Sequence, residues 1–282
     1  MDNLIYKPDK REKKYFSASD ALRPTWDLYH ALLNIEPTNP PAWNDTLKWG
    51  AGKGVELAML KVLKDSGIVP EDYNQETMGG FKMEREGLTV SGYIDAIDKN
   101  GEPIEIKSIN NANKWDIAKY EKGEPRKNHV MQLAIYMDYL GKENGVLFVA
   151  SIDGLSTFWI PCKHLGNGKY QCGSVVVDVY AEYIRWKKIM ENHVKPKQTP
   201  DPFEIGRYKI PVEEVDWSKV SVSDISKARN GHKVIGDPDT WPILYSPWKQ
   251  LWVDAQGVKP WYSDEELARI KELTKGFSTK KK

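Results

Sequence analysis

Hydrophobic and polar positions alternate in a way that predicts a β-hairpin near the middle of this 282-residue chain. Branched and aromatic residues recur through 88–97 and again through 104–109, which is typical of half-buried strands. The intervening residues 99–101, Lys-Asn-Gly, have the composition of a tight turn. The two runs therefore predict neighbouring antiparallel strands.

Three charged residues interrupt this hairpin: Asp95 late in the first strand, and Glu105 and Lys107 in the second. Glu105 and Lys107 share a face because side chains alternate along a strand. A two-residue loop would pair Asp95 with Ile106, on the face away from Glu105. A three-residue loop with Gly101 in the left-handed conformation pairs Asp95 with Glu105, and the position of the glycine favours this register.

Two carboxylates and a lysine brought together on a sheet are costly unless a cation joins them. Carboxylate oxygens are ligands that suit Mg²⁺ or Mn²⁺ and not zinc. The alternative is a surface hairpin whose polar face carries ordinary charges.

Apolar residues spaced three or four apart predict five helices. The first begins at a Ser17 or Ser19 cap and runs through Leu33. Glycines close the second and third. The other four predicted helices cover 46–66, 129–140, 174–193 and 264–275, and two more β-prone runs predict strands at 145–152 and 157–162.

This order of elements predicts an α+β (α/β) fold in which a central mixed sheet is flanked by helices. A proline-rich run at 196–202 predicts a boundary. Residues 1–200 would form the core with an N-terminal helical segment. Residues 201–282 would form a Trp- and Pro-rich C-terminal extension that packs back on the core.

The composition narrows the classes of protein that the chain can belong to. Hydrophobic residues make up 40% of the chain, and no apolar run is long enough to cross a membrane. The N-terminus has no signal-peptide core, and two cysteines suggest no disulfide framework, so we expect a cytoplasmic location. The formal charge is +1, so any nucleic-acid-binding surface must be local.

On the helix predicted at 46–66, Glu56 lines up with Met59 and Leu63 and so faces the core. A carboxylate in that position is usually paired or metal-bound, the alternative being a Glu at the edge of the apolar stripe that reaches solvent. The helix opens with three glycines that would let its backbone approach a neighbour or a phosphate closely, at positions 50, 52 and 54.

Basic and aromatic residues are interleaved after the hairpin, beginning at Lys114 and Trp115. That mixture suits a surface that grips a nucleic-acid backbone and stacks on bases, although a solvated helix with packed aromatics has the same pattern. In the helix predicted at 129–140, Gln132 and Tyr136 are neighbours one turn apart, beside the apolar face.

Four short motifs follow one another along the chain: Gly52-x-x-x-Glu56, Gly92-x-Ile94-Asp95, Glu105-Ile106-Lys107-Ser108 and His129-x-x-Gln132-x-x-x-Tyr136. In this order they resemble the PD-(D/E)XK nuclease superfamily, and within it the RecB-like and phage exonuclease branch. The Glu-Ile-Lys triplet alone is weak evidence, whereas the ordered set is specific. The resemblance covers roughly residues 17–195 and implies a restriction-endonuclease-like core.

The resemblance implies roles for the charged residues. Glu56, Asp95 and Glu105 would bind Mg²⁺ or Mn²⁺, with the backbone carbonyl of Ile106 as a further ligand. The branch commonly has His where Glu56 stands, and either side chain can bind a divalent metal. Lys107 would act on the attacking water or on the charge developing on phosphorus, and the sequence leaves open whether it orients, stabilises or accepts a proton.

Five further residues are implied as DNA contacts or supports. Gln132 and Tyr136 would position the substrate backbone or support Lys107, the alternative being ordinary packing on the helix surface. The other three are His129, Trp115 and Lys114.

Several members of this family hold an iron–sulfur cluster, and this chain departs from their pattern. Ile243, Ser246 and Trp252 stand at the three C-terminal cysteine positions, and residues 22–26 lack the upstream cysteine. A cluster needs four thiolates or equivalent ligands. We therefore expect no iron–sulfur cluster, and we expect packing around Ile243, Trp248 and Trp252 to fasten the C-terminal segment to the N-terminal helix.

The function implied is a Mg²⁺- or Mn²⁺-dependent DNA exonuclease that acts on DNA ends or single strands, in phage-type recombination, replication or repair. One alternative is a non-catalytic DNA-binding or assembly protein on a nuclease fold, against which the intact charged residues argue. The other is a sequence- or structure-specific endonuclease, for which no base-reading element is evident. DNA is the expected partner, no membrane is expected, and a recombination or replication protein and a second copy of the chain are candidates.

Overall fold

The structure is a computed structural model that describes residues 12–39, 43–109, 114–151 and 156–277, without the side chains at 43–45 and 114–116. The chain divides into two units, one of 1–23 with 41–196 and one of 24–40 with 197–282. The second division lies near the predicted boundary at 200. Residues 24–40, which the sequence pattern assigns to the core, belong instead with the C-terminal unit. No described helix is long and apolar enough to cross a membrane.

The first unit contains a small sheet of three strands, β1 (Phe16–Ser17), β2 (Gly80–Arg85) and β3 (Leu88–Tyr93). The central strand β3 is parallel to β1 and antiparallel to β2. Phe16 and Ser17 therefore extend beside β3 and do not begin the predicted helix. The Phe16 ring stacks on Trp186 at 4.9 Å, which anchors this extended segment, and Ser17 then caps a single turn at 18–20.

The main sheet has six strands, β4 (Ala96–Ile97), β5 (Pro103–Ile109), β6 (Asn144–Ser151), β7 (Thr157–Gly166), β8 (Lys169–Cys172) and β9 (Val175–Asp178). They lie side by side in the order in which they occur along the chain. β5 and β6 are parallel, and the other neighbours are antiparallel. The predicted α+β fold with a mixed sheet and flanking helices is confirmed.

Helices occur in both units of the described chain. Those of the first unit are α2 to α6 and those of the second are α1 and α7 to α10. Their bounds are α1 (Thr25–Leu32), α2 (Trp43–Asp65), α3 (Gln75–Met78), α4 (Lys114–Glu121), α5 (Lys127–Leu140), α6 (Val179–Ile189), α7 (Val222–Arg229), α8 (Trp241–Tyr245), α9 (Lys249–Ala255) and α10 (Asp264–Leu273).

The helix predicted from 174 begins five residues late. Val175 to Val177 are β-branched, and they pair with β8 as strand β9. Asp178 then caps helix α6 by accepting a hydrogen bond from the backbone N–H of Ala181 at 2.9 Å. The strand preference of the three consecutive valines therefore outweighs the helical spacing of the apolar residues.

The hairpin of β4 and β5 has the register predicted from its turn. Ala96 lies opposite Ile104, which aligns Asp95 with Glu105. Gly101 adopts φ +75°, the left-handed conformation that the three-residue loop requires. The three-residue loop is therefore confirmed.

The first strand of this hairpin is broken, contrary to the continuous strand predicted at 88–97. The backbone N–H of Ile94 donates to the carbonyl of Gly79 at 2.8 Å, and the Tyr73 hydroxyl donates to the carbonyl of Ile94 at 2.8 Å. These bonds divert the chain from the small sheet into the main sheet. Asp95 consequently lies at the crossover between them.

Helices α2 and α5 both pack against β5. Ile104 and Ile106 belong to one hydrophobic cluster with Met59 of α2. Side chains alternate along a strand, so Glu105 and Lys107 point to the opposite face. Strand β5 therefore carries apolar residues toward α2 and charged residues away from it.

The second unit has a core of tryptophans. Trp26 of α1 stacks on Trp252 of α9 at 5.5 Å, and Trp248 and Ile243 belong to the same cluster. The Ser246 hydroxyl donates to buried Asp27 at 2.6 Å. The predicted packing of the C-terminal segment on the N-terminal helix is thus confirmed, and it explains why 24–40 belongs to this unit.

Two glycine substitutions are expected to have opposite effects on the free energy of unfolding. Gly92→Ala should destabilise the protein by about 1–3 kcal/mol, because the new Cβ would lie 2.6 Å from the Phe81 ring. Gly54→Ala should stabilise it by up to about 1 kcal/mol, because this helical position opens on empty space. Urea unfolding of both variants measures the difference, and equal stabilities would contradict the packing of Phe81 on Gly92.

Candidate active site

Asp95 is fixed by one hydrogen bond on each carboxylate oxygen. Oδ1 accepts from the Gln75 side-chain amide at 2.8 Å, and Oδ2 accepts from the backbone N–H of Ile106 at 2.9 Å. Each carboxylate oxygen has two lone-pair directions, so both can take a further partner. Asp95 is therefore held in place, and each of its carboxylate oxygens can still bind a further partner.

Glu105 is fully buried, with 0% of its surface exposed. The Lys107 ammonium forms an ion pair with Oε1. In the part of the chain that the structure describes, Oε2 has no hydrogen-bond partner. A buried carboxylate in this state is costly, so the site calls for a proton or a cation.

The two carboxyl groups and the lysine influence one another's protonation. Burial raises the pKa of Asp95, and burial together with the charge of Asp95 raises the pKa of Glu105 well above its ordinary value. Burial also opposes the charged form of Lys107, yet the carboxylates of Glu105 and Asp95 raise the pKa of Lys107 overall. With both carboxylates ionised, one lysine leaves a negative charge unbalanced.

Glu56 lies nearer to solvent than its helical spacing predicts. Its side chain is 27% exposed and pairs with Lys53 at 3.1 Å, so Glu56 matches the stated alternative of a Glu at the edge of the apolar stripe that reaches solvent. Together with Asp95 and Ile106 it lines a small pocket. The volume of this pocket is about 10 Å³, which is room for a single water. Because α2 packs on the Ile106 face of β5, Glu56 approaches Asp95 and not Glu105.

The donor set fits a hard divalent cation in part. Asp95 is aligned with Glu105 across the hairpin and its charge raises the Glu105 pKa, and oxygen ligands of this kind suit Mg²⁺ or Mn²⁺. Throughout the described ranges, however, no three His, Cys, Asp or Glu side chains form a ready-made metal-binding group. The Ile106 peptide lies at the site through its N–H, and the role of its carbonyl stays a prediction.

Tyr136 supports the site from helix α5. Its hydroxyl donates to the carbonyl of Tyr93 at 2.8 Å and accepts from the Gln132 amide at 2.7 Å. Tyr136 is 1% exposed, and burial raises its pKa well above the ordinary value. Tyr136 therefore holds the end of β3 just before Asp95, and Gln132 fixes its hydroxyl.

His129 is buried, and its Nδ1 lies 2.9 Å from the Tyr120 hydroxyl. Burial, helped by the charges of Lys107 and Arg126, lowers the pKa of His129 to about 3, so its ring is neutral at physiological pH. A neutral buried ring can support the site but offers no charge to DNA. The side chains of Lys114 and Trp115, two other predicted DNA contacts, lie outside the described residues.

Three residues that the sequence pattern does not identify belong to the site. Gln75 binds Asp95, and Tyr73 binds the carbonyl before it. Lys53 lies between Glu56 and Gln75. Gln75 and Tyr73 fall in 69–87, which the sequence predicts as a loop with short strand pieces, where no periodicity marks a functional side chain.

No known protein family matches this sequence, and no curated protein matches it. Six chains of solved structures do match, among them the crystal structure of SSO0001. That chain is 16% identical, the match covers 76% of this chain and 88% of that one, and the TM-score is 0.41. A likeness at this level carries no argument about function.

In EDTA, the free energy of unfolding should fall as the pH rises above about 5. Asp95 and Glu105 have raised pKa values, so the folded protein keeps protons that the unfolded chain has already released, and stability drops until the folded carboxyls ionise. Glu105→Gln should flatten this fall by about 1.4 kcal/mol for each unit of raised pKa. Urea unfolding between pH 5 and about 8 measures the slope.

Glu182→Gln is the matched control for this change. Glu182 is also buried, but Arg185 binds it with two hydrogen bonds, at 2.7 and 2.8 Å. The control should keep the pH-dependent fall. An equally steep fall in Glu105→Gln would mean that the Glu105 carboxyl is already ionised and balanced without metal.

Proposed function

We propose that this chain is a divalent-metal-dependent DNA exonuclease that hydrolyses phosphodiester bonds at DNA ends or in single strands. The observation that carries the proposal is the full burial of Glu105 beside Asp95, with the Lys107 ammonium against one Glu105 oxygen and no hydrogen-bond partner for the other among the described residues. A hairpin without a catalytic role would have no reason to keep a costly buried carboxylate in its sheet. The order of the four sequence motifs resembles that of the PD-(D/E)XK nucleases, and this resemblance is what suggests phosphodiester hydrolysis as the reaction.

The residues of this chain would divide the work as follows. Asp95 and Glu105 would hold Mg²⁺ or Mn²⁺, and the bound ion would acidify a water and polarise the scissile phosphate. Lys107 shares the face of Glu105, and its ammonium suits orienting that water or stabilising charge on phosphorus. Gln75 and Tyr136 would keep Asp95 in position from two sides.

The packing in the second unit is compatible with a nuclease that has no iron–sulfur cluster. Ser246, at one expected cysteine position, donates a hydrogen bond to Asp27, and Trp252, at another, stacks on Trp26. The chain's two cysteines, Cys162 and Cys172, lie opposite one another on β7 and β8 and are too few for a cluster. A cytoplasmic location, expected from the cysteine content, belongs to the same proposal, as does a role in phage-type recombination, replication or repair, which the resemblance alone implies.

A non-catalytic DNA-binding protein is the second candidate. Two observations favour it: Glu56 is paired with Lys53, and no three His, Cys, Asp or Glu side chains among the described residues form a ready-made metal-binding group. Cleavage assays separate the two candidates because only the first needs a divalent ion.

End-labelled linear DNA should be degraded with Mg²⁺ or Mn²⁺ and left intact with EDTA, while covalently closed circles persist under all conditions. Lys107→Ala should lower the cleavage rate by roughly 10²–10³-fold, because the charge next to the reacting phosphate is lost. DNA binding in Ca²⁺, measured by fluorescence anisotropy, should change little.

Lys61→Ala is the matched control for Lys107→Ala. Lys61 is an exposed lysine paired with Asp65 on α2, away from the hairpin, so its loss should leave cleavage unchanged. DNA binding without cleavage in any metal would favour the non-catalytic candidate. Loss of closed circles would reject an exonuclease in favour of an endonuclease.

A further inference from the structure

A chain of hydrogen bonds connects two carboxylates that belong to different elements. Lys53 donates to Glu56 Oε2 at 3.1 Å and to the Gln75 side-chain oxygen at 3.3 Å. The Gln75 amide then donates to Asp95 Oδ1 at 2.8 Å. Lys53 and Gln75 therefore bridge Glu56 on α2 to Asp95 at the crossover between the sheets.

Gln75 is itself held in place. It is the first residue of α3, and the Asn74 side chain caps that helix by accepting from the backbone N–H of Glu76 at 2.9 Å. Two residues earlier, in the loop before α3, the Tyr73 hydroxyl donates to the carbonyl of Ile94, the residue before Asp95. The amide of Gln75 thus reaches Asp95 from a segment already fixed to the same backbone.

Lys53 is held differently. Its side chain is 54% exposed, and its ammonium contacts one carboxylate and one amide oxygen. Exposed ion pairs of this kind are weak, so they can be exchanged for a stronger cation. Lys53 lines the same pocket as Glu56, Gln75 and Asp95, so its ammonium lies beside the carboxylates that a cation in this pocket would bind.

We propose that Gln75 and Lys53 are two positioning residues of the metal site with opposite effects on metal affinity. Gln75 orients Asp95 for the divalent ion, whereas Lys53 neutralises Glu56 and competes with that ion for it. The inference rests on the proposed function, since it concerns the same site. Competition by Lys53 would explain why Glu56 lines the same pocket as Asp95 although the two carboxylates are not part of a ready-made metal-binding group.

The bridge predicts changes of opposite sign in the affinity for Mn²⁺, measured by titration calorimetry without DNA. Lys53→Met should bind Mn²⁺ more tightly by up to about fivefold, because an exposed ion pair no longer competes for Glu56. Lys53→Arg keeps the charge and should bind Mn²⁺ like the unaltered protein. Gln75→Leu should bind Mn²⁺ more weakly by roughly 10–100-fold, the usual effect of losing a residue that orients a ligand.

Two controls separate positioning from general stability. Lys61→Met removes another lysine from α2, one paired with Asp65, and should leave the affinity for Mn²⁺ unchanged. The unfolding temperature in EDTA should be the same for Gln75→Leu as for the unaltered protein to within a few degrees, because Gln75 is a partly exposed residue at the start of a short helix.

The outcomes distinguish the bridge from the proposed function. An unaltered protein that binds Mn²⁺ in a saturable way, with the same affinity in Lys53→Met, Gln75→Leu and Lys61→Met, would overturn the bridge and leave the metal site intact. Weaker binding in Lys53→Met would overturn the competing role of Lys53. An unaltered protein with no saturable Mn²⁺ binding would remove the proposed function and the bridge together.

Discussion

The burial of a carboxylate in the middle of a sheet is the constraint on which the rest of the first unit depends. Glu105 sits in β5, a strand with neighbours on both sides, and none of its surface is exposed. An isolated buried charge costs far more than a typical protein can spare from its net stability. Lys107 must therefore lie beside Glu105, whereas Asp95, aligned with Glu105 by the register set by Gly101, adds a second negative charge and increases the need for a proton or a cation.

Placing Asp95 beside Glu105 requires a strand that breaks at the right residue. The break is fixed from three directions: Gly79 receives the N–H of Ile94, Tyr73 binds the carbonyl of Ile94, and Tyr136 binds the carbonyl of Tyr93. Space at Gly79 is also limited, since a Cβ there would lie 2.5 Å from the Ile94 carbonyl. These contacts come from separate elements, so the geometry of Asp95 depends on the packing of the whole unit.

This division between local and distant causes explains what the sequence could predict. The hairpin register follows from a glycine at the third loop position and from side-chain alternation, both readable within twenty residues. The break at Ile94 depends on Tyr73 and Tyr136, which no local pattern links to it. The helix predicted from 174 failed because three β-branched valines could pair with β8, a strand that the sequence pattern does not identify.

Within the candidate site, the charged residues on β5 were predictable, whereas the polar residues that contact Asp95 and Glu56 were not. Glu105 and Lys107 interrupt an apolar strand, which makes them conspicuous. Gln75 and Lys53 are polar residues on an exposed helix start and an exposed helix face, where such side chains are common. Their importance emerges only from the oxygens that they contact.

The contrast between Glu105 and Glu56 shows how the site can be both stable and open to exchange. A fully buried carboxylate and a partly buried one share a single lysine in a centre that lacks one positive charge when both are ionised, and burial limits the screening of that charge by salt. Glu56 lies at the solvent edge with an exposed lysine, where the same charges cost little to pair or separate. A chain with all three acids buried would need further protons or a cation to fold. Under the proposed function, keeping the third acid outside would allow the protein to fold first and to complete its ligand set when a divalent ion binds.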